Sequence, residues 1–145
     1  MPVREWNAAA TFDDRGLRCF SLRGANGIDG ALSAFFGLSE NDGESWAIVG
    51  DLTALYGLSA PWILRELSVG RRRIVVMNNG SGKIFEKLPA LEGLEDKERR
   101  AIVNDHETRL EHWASMWGMD YVQVENEEDF AAGGKATVIE IVISG

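Results

Sequence analysis

Apolar residues fall along the chain in short bursts, and the spacing changes from burst to burst. Ile28, Leu32, Phe35 and Phe36 recur at helical spacing and predict a helix over residues 28–38. Trp46-Ala47-Ile48-Val49 is instead a continuous apolar run, as in a parallel strand covered on both faces, and it stops at Gly50-Asp51. Residues 73–77 form a second such strand, closed by Asn78-Asn79-Gly80. Between the two, a helix is predicted over about residues 53–67. Pro61 should kink or restart it, because proline lacks the amide that a helix interior needs.

Residues 17–22 read as a further short strand, 121–124 as another and 137–143 as the last. Leu110, Trp113, Ala114 and Trp117 share one face of a helix over residues 108–117, capped by Gly118. Residues 92–104 are charge-rich and read as a helix or a loop, and 127–131 as a short acidic helix. Strands therefore alternate with helices. The predicted fold class is α/β, a three-layer α/β/α arrangement around a mostly parallel sheet. With 145 residues, no repeat and no long linker, the chain reads as one domain.

The net charge of -8 disfavours nucleic acid and anionic membrane as main partners, since no broad positive field attracts phosphates. Arg71-Arg72-Arg73 is the local exception and reads as a solvated strand edge. The single cysteine, Cys19, allows no intramolecular disulfide and no cysteine zinc site; its apolar neighbours predict a buried, inert thiol. The first residues include Arg4, Glu5 and Asn7 without an apolar stretch, so no signal peptide is expected. No apolar run is long enough to span a bilayer, and a cytoplasmic location is the expectation.

In open parallel sheets, ligands sit beyond the carboxyl ends of the strands. Gly50-Asp51 and Asn78-Asn79-Gly80 occupy two such ends, separated by about one crossover helix and one strand. Taken singly, each is an ordinary turn. Taken together, they divide evenly between two turns and one site. A site would suit magnesium diphosphate, because Mg2+ takes few protein carboxylates and leaves positions for phosphate and water. Asp51, an Asn amide oxygen and a carbonyl near Gly80 would supply ligands, and Gly50 and Gly80 would let backbone approach closely. Helix N-termini after Asp51 and near Gly27 would face the anion. Asn79-Gly80-Ser81-Gly82-Lys83 is not a P-loop, since Met77 and Ile84 stand where that motif needs Gly and Ser or Thr. His106 and His112 are not on one helical face and read as exposed helix histidines.

Gly50-Asp51 followed by Asn78-Asn79 resembles the cofactor motif of thiamine diphosphate (ThDP) enzymes. More narrowly, four stretches resemble the C-terminal, diphosphate-binding domain of the 2-succinyl-5-enolpyruvyl-6-hydroxy-3-cyclohexene-1-carboxylate (SEPHCHC) synthase family of menaquinone biosynthesis. They are residues 1–6, the Arg23-Gly24-Ala25-Asn26-Gly27-Ile28-Asp29-Gly30 run, Gly50 to Leu55, and Asn78 through Ile84-Phe85 to Leu88-Pro89. His106 and Trp113 to Gly118 fit more loosely.

The resemblance implies a ThDP-binding fold with ThDP and Mg2+ (or Mn2+) as cofactors. It implies Asp51, Asn78 and the Gly80 carbonyl as metal ligands. Gly27, Ile28, Gly50, Asp51, Leu52, Thr53, Asn78, Gly80 and Ile84 would contact the cofactor, with Ile28 propping its bent form. Arg4 and Arg23 would bind substrate carboxylates, beside Phe85 and Leu88, with Ile84 also on that side. The implied activity is a transferase reaction: decarboxylation of 2-oxoglutarate and addition to isochorismate.

The chain departs from the family in three places. Gly57-Leu58-Ser59 stands where the family has Asp-Leu-Asn, and the Gly80-Ser81-Gly82-Lys83 loop is altered. The pyrimidine-binding domain, N-terminal in this family and the source of the glutamate that activates the cofactor, is absent from these residues. The expectation is a homodimer, or a complex with a pyrimidine-binding partner domain, that takes small-molecule substrates; the chain alone is expected not to turn over. The rival expectations are a non-catalytic interaction module with a decayed ThDP fold, and half of another ThDP lyase or decarboxylase.

Overall fold

The computed structural model describes residues 18–22, 27–40, 43–67, 70–85, 88–89 and 92–143. In chain order these form α1 (Ala31–Leu38), β1 (Glu44–Gly50), α2 (Asp51–Tyr56), a 3-10 turn (Ala60–Arg65) and β2 (Arg71–Asn78). There follow α3 (Asp96–Val103), α4 (Glu111–Met116), β3 (Asp120–Gln123), a second 3-10 turn (Glu127–Ala131) and β4 (Ala136–Val142). The four strands form one sheet in the order β1-β2-β4-β3, and every pairing is parallel. Parallel neighbours need a crossover between them, and the helices supply it.

Side chains alternate across the sheet. On β2, Ile74 and Val76 point to the same face as Val138 of β4. There they join Leu32 and Phe36 of α1, Ala54 of α2, and Leu110, Trp113 and Ala114 around α4 in one buried cluster. On the opposite face, Arg73 pairs in register with Thr137 and reaches the carbonyls of Ala132 and Gly133, which follow the second 3-10 turn. The sheet thus lies between two layers, as the α/β/α reading expects. No helix among the described residues is long and apolar enough to cross a membrane.

Three expectations need correction. Residues 18–22 take no regular structure and are exposed, and none pairs with a strand among the described residues; Leu17 lies outside them. Cys19, in the same stretch, is exposed rather than buried. The three arginines do not form a solvated edge, because they open the central strand. Arg71 is exposed and pairs with Glu44 at 2.9 Å, but Arg72 and Arg73 are buried, at 1% and 0% exposure. Burial of a guanidinium requires partners for its donors. Arg72 finds Ser39 Oγ, Ser39 O and Gly70 O; Arg73 finds Thr137 Oγ1 at 2.7 Å and the Glu44 carboxylate at 3.6 Å.

Two boundaries shift for local reasons. Gly30 takes φ 74, so α1 begins at Ala31 and leaves Ile28 outside it. The helix expected over 53–67 begins earlier, at Asp51, and breaks; a 3-10 turn restarts with Pro61 in its first two positions, where a missing amide costs nothing.

Candidate functional site

Gly50 of β1 stands opposite Met77 of β2, so Asp51 and Asn78 leave the sheet at the same edge. The Asp51 carboxylate is buried there. Its Oδ1 accepts from the backbone N–H of Leu52 at 2.7 Å, and its Oδ2 accepts from that of Asn79 at 3.2 Å. The second amide of α2 is therefore occupied by Asp51 itself.

The two asparagines do different things. Asn78 continues the parity of Ile74 and Val76 and turns toward the helix-covered face. Its Nδ2 donates to Glu140 Oε1 at 2.5 Å and to Thr108 O at 3.2 Å, while its Oδ1 accepts from Gly80 N at 3.0 Å. Asn79 faces Asp51. Its side-chain oxygen lies 2.6 Å from Ser81 O and 3.3 Å from Asp51 Oδ2 and accepts from Ser81 N at 3.3 Å; turned over, the amide nitrogen would donate to Ser81 O and Asp51 Oδ2. Octahedral Mg2+ at 2.0–2.1 Å sets adjacent ligand oxygens about 2.9 Å apart. With the amide oxygen turned inward, the two separations of 2.6 and 3.3 Å bracket that value. Among the described residues no three His, Cys, Asp or Glu side chains converge, so a donor set for a softer metal is not formed.

The glycine loop is tied down beside this cluster. Gly80 takes φ 77, and its carbonyl accepts from His106 N at 2.8 Å. A Cβ on Gly82 would sit 3.1 Å from both Leu52 Cδ1 and Val103 O and 3.2 Å from Phe85 Cδ2, so only glycine fits without displacement. His106 is not an exposed helix residue. It lies in the connection between α3 and α4, mostly buried, with Nε2 3.3 Å from Asp51 Oδ2. A cleft beside the cluster is lined by Asn78, Asn79, Gly80, His106, Thr108 and Arg109. The larger cavity lies elsewhere in the helical layer, between Leu55, Leu58, Trp113 and Met116.

Of the other sequence-predicted residues, Leu52 and Thr53 are half-buried in α2 beside Asp51. Ile84, Phe85 and Leu88 are exposed on the loop that follows Lys83, and Gly27 and Ile28 are exposed ahead of α1. Arg4 and Arg23 lie outside the described residues. Asn79, Ser81 and His106 were not singled out as site residues from sequence. Asn79 was visible there as the second asparagine; a backbone carbonyl at Ser81 and a distant loop histidine carry no such signal.

Behind Asn78, Glu140 is fully buried and accepts from Tyr121 Oη at 2.5 Å as well. Burial, then the Glu140 hydrogen bond and charge, raise the Tyr121 pKa above its ordinary 10.0. A raised folded-state value means that the contribution is complete below pH 10 and is lost as pH rises toward the folded pKa. Tyr121→Phe should therefore cost about 1.5–3 kcal/mol near neutrality, the range for a hydrogen bond to a charged group. The wild-type advantage should shrink above pH 10. Urea unfolding at neutral and alkaline pH measures both.

No family model matches the chain. Among curated proteins, it is 40% identical over 121 residues to a 2-succinyl-5-enolpyruvyl-6-hydroxy-3-cyclohexene-1-carboxylate synthase of Bdellovibrio bacteriovorus. It is 42% identical over 130 residues to the synthase of the same name from Akkermansia muciniphila. These alignments take in 83% and 90% of the chain. The chain is homologous to part of the SEPHCHC synthases. It spans 22% and 24% of the length of these two relatives, about a quarter of each. Most of either SEPHCHC synthase therefore has no counterpart in these 145 residues.

Proposed function

We propose that the chain is the magnesium- and diphosphate-binding portion of a ThDP-dependent, SEPHCHC synthase-like transferase. The observation that carries this reading is the convergence of three oxygens, from Asp51, Asn79 and Ser81, at the ends of adjacent parallel strands. Asp51, the Asn79 amide oxygen and the Ser81 carbonyl would hold Mg2+ or Mn2+. This set replaces Asn78 and the Gly80 carbonyl, whose hydrogen bonds run to Glu140, Thr108 and His106 and brace the loop from behind. Two diphosphate oxygens and a water would complete six coordination.

When bound, ThDP supplies the carbanion chemistry, and the protein supplies position and charge. Gly50, Leu52 and Thr53 would border the diphosphate, Gly27 and Ile28 the cofactor ring, and Ile84, Phe85 and Leu88 the substrate side. Apolar side chains left open on that loop suit a surface closed by a second domain or subunit. Arg4 and Arg23 would each grip a substrate carboxylate through a guanidinium fork. The substrates in this reading are 2-oxoglutarate and isochorismate. A pyrimidine-binding domain, from a partner chain or within a homodimer, would supply the missing glutamate, and the chain alone would not turn over.

The deciding experiment is a calorimetric titration of the chain with ThDP, in the presence and absence of Mg2+. The expected result is cofactor binding that requires the metal. No metal-dependent binding, even with a supplied pyrimidine-binding half, would reject the enzymatic reading in favour of a non-catalytic module.

A further inference from the structure

His106 touches both segments that carry the candidate ligands. Its backbone N–H donates to Gly80 O at 2.8 Å, one residue before Ser81. Its Nδ1 accepts from Thr108 N at 3.1 Å. A neutral imidazole has one hydrogen, so an accepting Nδ1 places it on Nε2. That nitrogen lies 3.3 Å from Asp51 Oδ2, a close polar contact short of hydrogen-bond geometry, and makes no hydrogen bond among the described residues. The imidazole is 13% exposed and the Asp51 side chain 6%, so little water reaches the pair. The packing is also close: a Cβ at Gly80 would sit 3.1 Å from His106 O.

Resting on the cation site proposed above, we infer that His106 is a positioning residue for that site. It locks the Asp51 carboxylate in one rotation and fixes it relative to the loop that brings Ser81. The carboxylate has three restraints: hydrogen bonds from Leu52 N–H to Oδ1 and from Asn79 N–H to Oδ2, and the buried 3.3 Å contact of the imidazole with Oδ2. Two come from residues adjacent in sequence or in the ligand set. Among these, the histidine alone comes from a segment that carries none of the candidate ligands. It acts through Asp51 and does not itself coordinate the ion. Outer-shell partners of this kind orient a ligand and set its basicity, and their loss typically weakens metal binding 10–100-fold.

The test is Mn2+ binding in the presence of ThDP, followed by electron paramagnetic resonance on the 145-residue chain, with thermal unfolding as the control for folding. His106→Leu should weaken Mn2+ binding about 10–100-fold. His106→Gln places an amide N–H near the former Nε2 and should recover most of the affinity. His106→Asn is equally polar but too short, and should behave like the leucine variant. Should the leucine variant fail to fold, the Gln and Asn pair still decides. Equal affinities for Gln and Asn, or a folded leucine variant that binds like wild type, would overturn the inference and leave the cation site standing. A wild-type chain that binds no Mn2+ with ThDP would instead remove the site itself, and this role with it.

Discussion

Asp51→Asn is expected to abolish metal-dependent ThDP binding while the chain stays folded. The substitution keeps the shape of the side chain and an oxygen to accept from Leu52 N–H. It removes the only carboxylate of the three-oxygen cluster, and Mg2+ relies on that charge to shed water. Loss of a direct ligand should exceed the 10–100-fold typical of outer-shell changes, so the expected drop in Mg2+ affinity is more than about 100-fold. Some stability should be lost, about 1–3 kcal/mol, because the new amide nitrogen faces the Asn79 N–H and the imidazole and accepts from neither. Titration with Mg2+ and ThDP gives the affinity, and circular dichroism checks the fold. Retained metal-dependent binding in this variant would mean that the strand tips do not form the site.

Glu140→Ala is expected to give the largest loss of stability. Glu140 is at 0% exposure in β4 and accepts from Asn78 Nδ2, Tyr121 Oη and Leu110 N. Its removal leaves Tyr121 Oη and Leu110 N without this acceptor, leaves Asn78 Nδ2 with Thr108 O alone, and opens a void beside the sheet. About 3–5 kcal/mol is the expected cost, as for removing one member of a buried charged group. Guanidinium unfolding would report it as a lower midpoint. The effect should also reach function, since Asn78 is the residue whose Oδ1 holds Gly80 N at the start of the glycine loop. Glu140→Gln, which keeps one acceptor, should lie between. A loss under about 1 kcal/mol for the alanine variant would show that water replaces the carboxylate there, as at an ordinary surface site.

β2 was legible because it is covered on both faces, so Ile74 to Met77 read as an unbroken apolar run; Trp46 to Val49 read the same way although β1 is an edge strand with Trp46 exposed. The break at Pro61 was legible from the chemistry of one residue. The burial of Arg72 and Arg73 was not, because a sequence shows charge but not the carbonyls that surround it; here Ser39 and Ala132 supply them from distant positions, beside Gly70 close by. The candidate site was legible as a pair of strand tips, but not which asparagine lies beside Asp51. Asn78 and Asn79 are chemically identical, and one step along a strand reverses the direction of a side chain. Which of them faces Asp51 depends on where β2 ends, and apolar spacing does not fix an end. His106 was beyond reach for a different reason: its partners lie in α2 and the glycine loop, joined to it only by the fold.

The order of the strands also governs how the molecule can be made. β4 is last in the chain yet sits between β2 and β3. Until residues 136–142 leave the ribosome, neither neighbour has its partner, the central strand shows an open edge, and Asn78 has no Glu140 to hold it. Closure of the sheet waits on contacts between segments far apart in sequence, a slow kind of folding step. The seven-residue strand β4 is thus the keystone, and the end of the sheet that carries Asp51 and Asn79 takes shape only once that strand has been made.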